Sequence, residues 1–130
     1  MTGKSVMTKP FALIVEDDPK LGRIFVVALG QVGFETALDE DGSHYKHLLE
    51  TRTPSLILLD VHLPFASGAE ILDMIRSDKR WQNIPVVVMT ADIAMSKALA
   101  KKADFSLLKP ISVMRIQEIA SKIFSELQQD

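Results

Sequence analysis

Residues 55–64, SLILLDVHLP, hold four apolar side chains in a row, Leu56–Leu59, that run without alternation into Asp60 before the chain turns at Pro64. An unbroken apolar run of strand length suits a strand covered on both faces, as in a parallel sheet between two helical layers. A carboxylate ending such a strand needs a partner or a task, because burying an unpaired charge is costly. In open α/β sheets, ligands bind just outside the carboxyl ends of the strands. Asp60 is therefore either a capping acid for the following turn or a reactive centre.

The flanking sequence repeats this pattern. Phe11 to Val15 reads as an apolar strand that runs into Glu16, Asp17 and Asp18. Pro19 suits a first helical turn, with Asp18 as its N-cap. Leu21, Ile24, Phe25, Ala28, Leu29 and Val32 recur at helical spacing, and Gly33 ends that helix. Phe34 to Leu38 reads as a second strand and Asp41-Gly42 as a turn. Tyr45, Leu48 and Leu49 suggest a short helix to about Thr51. Beyond the Asp60 strand, Ser67 and Glu70 have capping-box spacing and open a helix carrying Ile71, Met74 and Ile75. Trp81, in the link that follows, is expected to pack a helix end. Pro85 precedes VVVMT, a fourth strand ending at Thr90. Ile93 to Ala103 reads as a helix with Lys97, Lys101 and Lys102 on its wet side. Phe105 to Leu108 forms a fifth strand before Lys109-Pro110. Ser112 caps a last helix whose stripe is Ile116, Ile119, Ala120, Ile123 and Leu127. Five strands alternating with five helices predict an α/β fold, a parallel sheet with helices on both faces.

Composition narrows the function classes. The 130 residues are enough for one domain, expected over residues 10–130 behind a mobile polar tail over residues 1–9. A net charge of −2 gives no general pull toward nucleic acid or an anionic membrane. No apolar run approaches a membrane span, and MTGKSVMTK has no secretory h-region. With no cysteine there is no disulfide, thiolate nucleophile or Cys-ligated metal. These features fit a cytoplasmic protein.

Parallel strands bring all their carboxyl ends to one edge. That edge then carries Glu16 and Asp17, Asp60, Thr90 and Lys109, while Asp39, Glu40 and Asp41 after the second strand read as a solvated turn. Three clustered carboxylates repel by roughly 1 kcal/mol per pair in water and about 4 at intermediate dielectric. A positive group must offset this. Oxygen ligands without Cys or a His cluster favour Mg²⁺. Lys109 would supply a point charge for a phosphoryl oxygen and Thr90 a hydroxyl donor. Such a set suits formation of an aspartyl phosphate.

The motifs LIVEDDP, LILLDVHLP with Gly68 beyond it, VVVMTA and LLKP, in this order over about residues 10–128, resemble the receiver domain of bacterial two-component response regulators, the CheY-like or flavodoxin-like fold. The resemblance implies strand order 2-1-3-4-5. It implies that Asp60 accepts a phosphoryl group from a sensor histidine kinase or phosphotransfer protein, without multiple-turnover enzyme activity. Asp17, Asp60 and the main-chain carbonyl of His62 would ligate Mg²⁺ directly, and Glu16 through water. Thr90 and Lys109 would bind phosphoryl oxygens, and Lys109-Pro110 would be cis.

Two departures stand out. Receivers usually carry an aromatic three residues before the lysine; here that residue is Ser106, and Phe105 must face the other side of the strand. The span from Thr90 to Lys109 is about one helical turn short. The usual coupling of threonine to aromatic is thus expected to be altered. His62 and Asp92, each two residues beyond a key position, would flank the phosphoryl group or serve as solvated rim. His44 and His47 read as surface residues. The expected function is a single-domain regulator acting on an unknown output protein, with no direct nucleic-acid or membrane partner. The alternatives are a receiver fragment of a larger regulator or hybrid kinase, a non-phosphorylated interaction module, and a small phosphate-ester hydrolase using Asp60.

Overall fold

The computed structural model describes residues 9–128, so the tail expected over residues 1–9 lies, apart from Lys9, outside the described residues. Five strands, β1 (Phe11–Val15), β2 (Glu35–Asp39), β3 (Leu56–Asp60), β4 (Val86–Thr90) and β5 (Phe105–Leu108), alternate with five helices. The helices are α1 (Pro19–Val32), α2 (Tyr45–Thr51), α3 (Gly68–Ser77), α4 (Ile93–Leu99) and α5 (Val113–Leu127). All strand pairs are parallel, in the order β2-β1-β3-β4-β5. The expected topology is the one found.

Period-2 alternation splits the unbroken apolar strands between two cores. Leu13, Val15, Ile57, Leu59, Val86 and Val88 pack toward α2, α3 and α4, against Leu49, Ile71, Leu72, Ile75 and Leu99. Their neighbours Ala12, Ile14, Leu56, Leu58, Val87 and Met89 pack toward α1 and α5, against Phe25, Leu29, Ile116, Ile119 and Ile123. Each fully buried side chain of this size contributes roughly 1.5–3 kcal/mol. Both cores press on β1, β3 and β4, so the carboxyl ends of these strands are held firmly.

The helix starts follow the sequence signals. Asp18 accepts from Lys20 and Leu21 N–H, Ser67 closes a capping box with Glu70, and Ser112 accepts from Arg115 N–H. Gly33, at φ 126°, ends α1, and Phe34 N–H returns to the Leu29 carbonyl at 3.0 Å. Trp81 is buried in the α3-side core.

Four details differ from expectation. Strand β2 starts at Glu35 and ends at Asp39, because its register pairs Phe11 with Glu35 and Val15 with Asp39. Phe34 is instead part of the helix stop and meets Phe124 edge to face, 5.8 Å between ring centres. Helix α4 ends at Leu99 rather than Ala103. Arg76 donates to the carbonyls of Lys102, Gln82 and Ile84 and pairs with Asp104 at 2.7 Å, holding residues 100–104 as a turn. Ile24 and Leu127, counted in the apolar stripes of α1 and α5, are exposed at 42% and 45%. They lie at the edges of stripes whose centres are already covered. Finally, Asp39 is buried rather than solvated. Its Oδ1 accepts from Gly42 N–H (2.9 Å) and Asp41 N–H (3.2 Å), and its Oδ2 accepts from His44 N–H (2.9 Å).

Gly68 opens α3 directly against the end of β3. A Cβ there would lie 2.5 Å from the Asp60 carbonyl oxygen and 2.6 Å from Val61 Cα. Both are backbone atoms and cannot swing aside. Gly68→Ala is therefore expected to cost about 2 kcal/mol or more in denaturant unfolding, and a midpoint equal to wild type would contradict this packing.

Candidate functional site

The site lies where β1, β3, β4 and β5 end. Strand β3 is central, with β1 on one side and β4 on the other; Leu59 pairs with Val15 and Asp60 with Met89. Thr90 pairs with Leu108 on the far side of β4. Glu16 and Asp17 follow β1 directly, Asp60 and Thr90 close β3 and β4, and Lys109 follows β5. The sheet therefore brings the five residues selected from sequence to one edge.

Asp60, Glu16 and Thr90 are buried, Asp17 is exposed and Lys109 is partly exposed. Lys109 Nζ stands 3.2 Å from Asp60 Oδ1 and 3.8 Å from Glu16 Oε2. One cation thus faces two buried acids. Each of Glu16, Asp17 and Asp60 offers a carboxylate oxygen, and these oxygens lie within 4.8 Å of one another. Glu16 Oε2 accepts from Asp18 N–H at 3.2 Å, but Glu16 Oε1 is buried without a hydrogen-bond partner among the described residues.

Electrostatics follow from this crowding. Burial, and then the charge of Asp60, push the Glu16 carboxyl from its ordinary 4.5 up to about 7. Desolvation, followed by the neighbouring Asp60, also raises Asp17. An orphaned buried oxygen beside two further carboxylates, with oxygen donors only, is a donor set suited to a hard divalent cation. Mg²⁺ fits that set better than a softer metal, which would seek sulfur or imidazole.

The other groups complete the rim. His62 N–H points to Asp60 Oδ1 at 3.4 Å, and His62 Nε2 lies 3.2 Å from Thr90 Oγ1. Asp92 N–H donates to the same Thr90 oxygen at 3.1 Å, while the Asp92 carboxylate caps α4 by accepting from Met95 N–H at 3.1 Å. The cap was legible as an acid placed just before an apolar helix, although from sequence Asp92 was expected only to flank the phosphoryl group or to serve as solvated rim. The His62–Thr90 contact joins residues far apart in sequence and has no local signal. A groove of about 600 Å³, lined by Asp17, His62, Leu63, Pro64, Met95 and others, opens beside the site. Lys109-Pro110 is cis. His44, predicted as surface, is exposed, yet its Nδ1 stands 3.7 Å from Asp39 and 3.6 Å from Asp41.

The model of the response regulator receiver domain matches residues 12–121, and the chain belongs to that family. Among curated relatives, it is 31% identical over 119 residues to protein RcaC of Microchaete diplosiphon, covering 89% of this chain and 18% of that one. It is 29% identical over 121 residues to the DNA-binding response regulator MtrA of Mycolicibacterium smegmatis, covering 91% of this chain and 50% of that one. The chain thus spans half or less of these relatives' lengths. Among solved structures, a CheY-like response regulator receiver domain from Methylobacillus flagellatus superposes with a TM-score of 0.78 at 26% identity, covering 89% of this chain and 99% of that one. The receiver domain of Francisella response regulator 1452 gives 0.79 at 23% identity, covering 92% and 99%. No helix among the described residues is long and apolar enough to cross a membrane.

The raised Glu16 carboxyl has a definite pH signature in metal-free protein. Its folded-state value lies above its unfolded one. Its contribution to stability is thus fully present below pH 4.5 and is lost as pH rises through about 7. In chelator, wild type is expected to lose about 2 kcal/mol more than Glu16→Gln between pH 5 and pH 8. Urea denaturation at both pH values checks this; parallel pH profiles for the two proteins would refute it.

Proposed function

We propose that this receiver is phosphorylated on Asp60 by a phosphohistidine of a sensor histidine kinase or phosphotransfer protein, and signals through protein contacts. The observation that carries the reading is the ion pair of Lys109 with Asp60 inside a pocket already holding Glu16 and Asp17. A structural acid such as Asp39 has both oxygens satisfied by backbone donors. Asp60 shares its cation with a second buried acid, Glu16, one of whose oxygens has no hydrogen-bond partner among the described residues.

Asp17, Asp60 and the main-chain carbonyl of His62 would hold Mg²⁺ directly, and Glu16 through water. Bound there, Mg²⁺ would neutralise the carboxylates and draw charge from the phosphoryl oxygens. Asp60 is the nucleophile: one carboxylate oxygen forms the new bond to phosphorus as the phosphorus–nitrogen bond of the phosphohistidine breaks. The imidazole leaves with the electron pair and takes up a proton. Lys109, standing within 3.2 Å of Asp60, follows the negative charge from the carboxylate onto the phosphoryl oxygens. The Thr90 hydroxyl supplies one neutral donor to the same oxygens. The reaction is stoichiometric, one phosphoryl group per Asp60. Asp17 lines the groove on the open side of the site, where it would meet the incoming cation.

Phosphoramidate and Mg²⁺ are expected to add one phosphoryl group to wild type, seen by intact mass, and none to Asp60→Asn. Lys109→Ala should slow the reaction by about 10². Equal labelling of wild type and Asp60→Asn would place the acceptor elsewhere, and no labelling of either, with no response to beryllofluoride, would favour a non-phosphorylated interaction module.

A further inference from the structure

We infer that His62 reads the state of the Thr90 hydroxyl and passes it to the β3–α3 loop, so that the loop bearing Phe65 is the surface that changes on phosphorylation. The inference rests on the phosphoacceptor reading of Asp60 above.

A threonine hydroxyl has one proton to donate and two lone pairs to accept with. Thr90 Oγ1 already accepts from Asp92 N–H at 3.1 Å. His62 Nε2 lies 3.2 Å from the same oxygen. In the tautomer protonated at Nδ1, which we take for the resting imidazole, Nε2 accepts the Thr90 proton. A phosphoryl oxygen on Asp60 is a charged acceptor and competes for the same proton; charge-assisted bonds are roughly twice as strong as neutral ones. When Thr90 turns to the phosphoryl group, His62 loses its partner.

The route through β5 is already committed to another contact. Ser106 Oγ donates to the Ser96 carbonyl at 2.7 Å and lies 2.8 Å from Ser96 Oγ, tying β5 to the short helix α4. A hydroxymethyl group in this bridge offers no ring to fill space that Thr90 vacates. Phe105 faces the other core, with the Arg115 guanidinium 5.6 Å from its ring centre.

The loop after Asp60 is built to move with His62. His62 is bridged to Ser67, and Gly68 N–H closes on the Val61 carbonyl at 2.8 Å, so residues 62–67 form a closed loop between β3 and α3. Leu63 and Pro64 lead to Phe65, which is 71% exposed and is joined to the β2–α2 turn by a long 3.3 Å bond from its N–H to the Asp41 carbonyl. His62 is exposed as well, so releasing Thr90 meets no packing barrier. A displacement at one end of such a loop moves its apex.

Amide NMR of the full chain with Mg²⁺ and beryllofluoride, an acyl-phosphate mimic, tests this. In wild type, amides at Asp60, Thr90 and Lys109 are expected to shift, and those of Leu63, Phe65 and Ala66 to shift with them. In His62→Phe the loop response, taken relative to that at Lys109, should be lost; His62→Gln, whose amide can take the place of Nε2, should restore it. A loop response in His62→Phe equal to wild type would overturn the inference, as would a wild type whose shifts beyond the site fall on Ser96 and Ser106. If Asp60, Thr90 and Lys109 themselves stay unmoved, it is the phosphoacceptor reading that fails, and the inference with it.

Discussion

Lys109 faces Asp60 and Glu16 across less than 4 Å, and this unequal pairing governs the rest of the molecule. Two buried acids and a third at the surface cannot be balanced by one ammonium. Glu16 answers by taking up a proton at a pH where an ordinary carboxyl would be ionised. The fold pays for the arrangement with apolar strands. Leu13, Val15, Leu56 to Leu59 and Val86 to Met89 are all essentially dry, and their burial holds the strand ends where charges would otherwise drive them apart. A surface cluster of the same residues would splay and hydrate. Here the burial of Glu16 and Asp60 keeps the cluster close-set.

Asp39 shows how a buried carboxylate looks when backbone donors satisfy it. It ends β2 as Asp60 ends β3, and it is as deeply buried, yet three backbone N–H groups satisfy it. It shapes the β2–α2 turn and the start of α2. Asp39 and Glu16 differ in this: both are dry, but of the two only Glu16 keeps an oxygen without a partner among the described residues.

Much of the site was legible from sequence because parallel strands leave little freedom. Once Phe11–Val15, Leu56–Asp60 and Val86–Thr90 are recognised as doubly covered strands, the residues after them must meet on one edge. Glu16, Asp17, Asp60, Thr90 and Lys109 do so. The caps at Asp18, Ser67 and Ser112 were equally readable, since each depends on residues within one turn. The errors lie where distant contacts decide. Helix α4 stops early because Arg76, from another helix, claims the carbonyl of Lys102. Asp39 is dry because β2 pairs with β1 in a register that draws its end inward. Ile24 stays exposed because Phe25, Ala28 and Leu29 already fill the face toward the sheet.

By itself, the sequence determined the element order, the parallel topology and the identity of the five groups at the sheet edge. Those depend on hydrophobic periodicity and on local capping, which act over a few residues. Only the tertiary structure decided how these groups share their partners: that Lys109 divides itself between Asp60 and Glu16, that His62 meets Thr90, and that Ser106 is bound to Ser96. Side chains carried by separate strands and helices come within hydrogen-bonding distance through the twist and packing of the whole sheet, and a difference of one ångström there changes which bond is made.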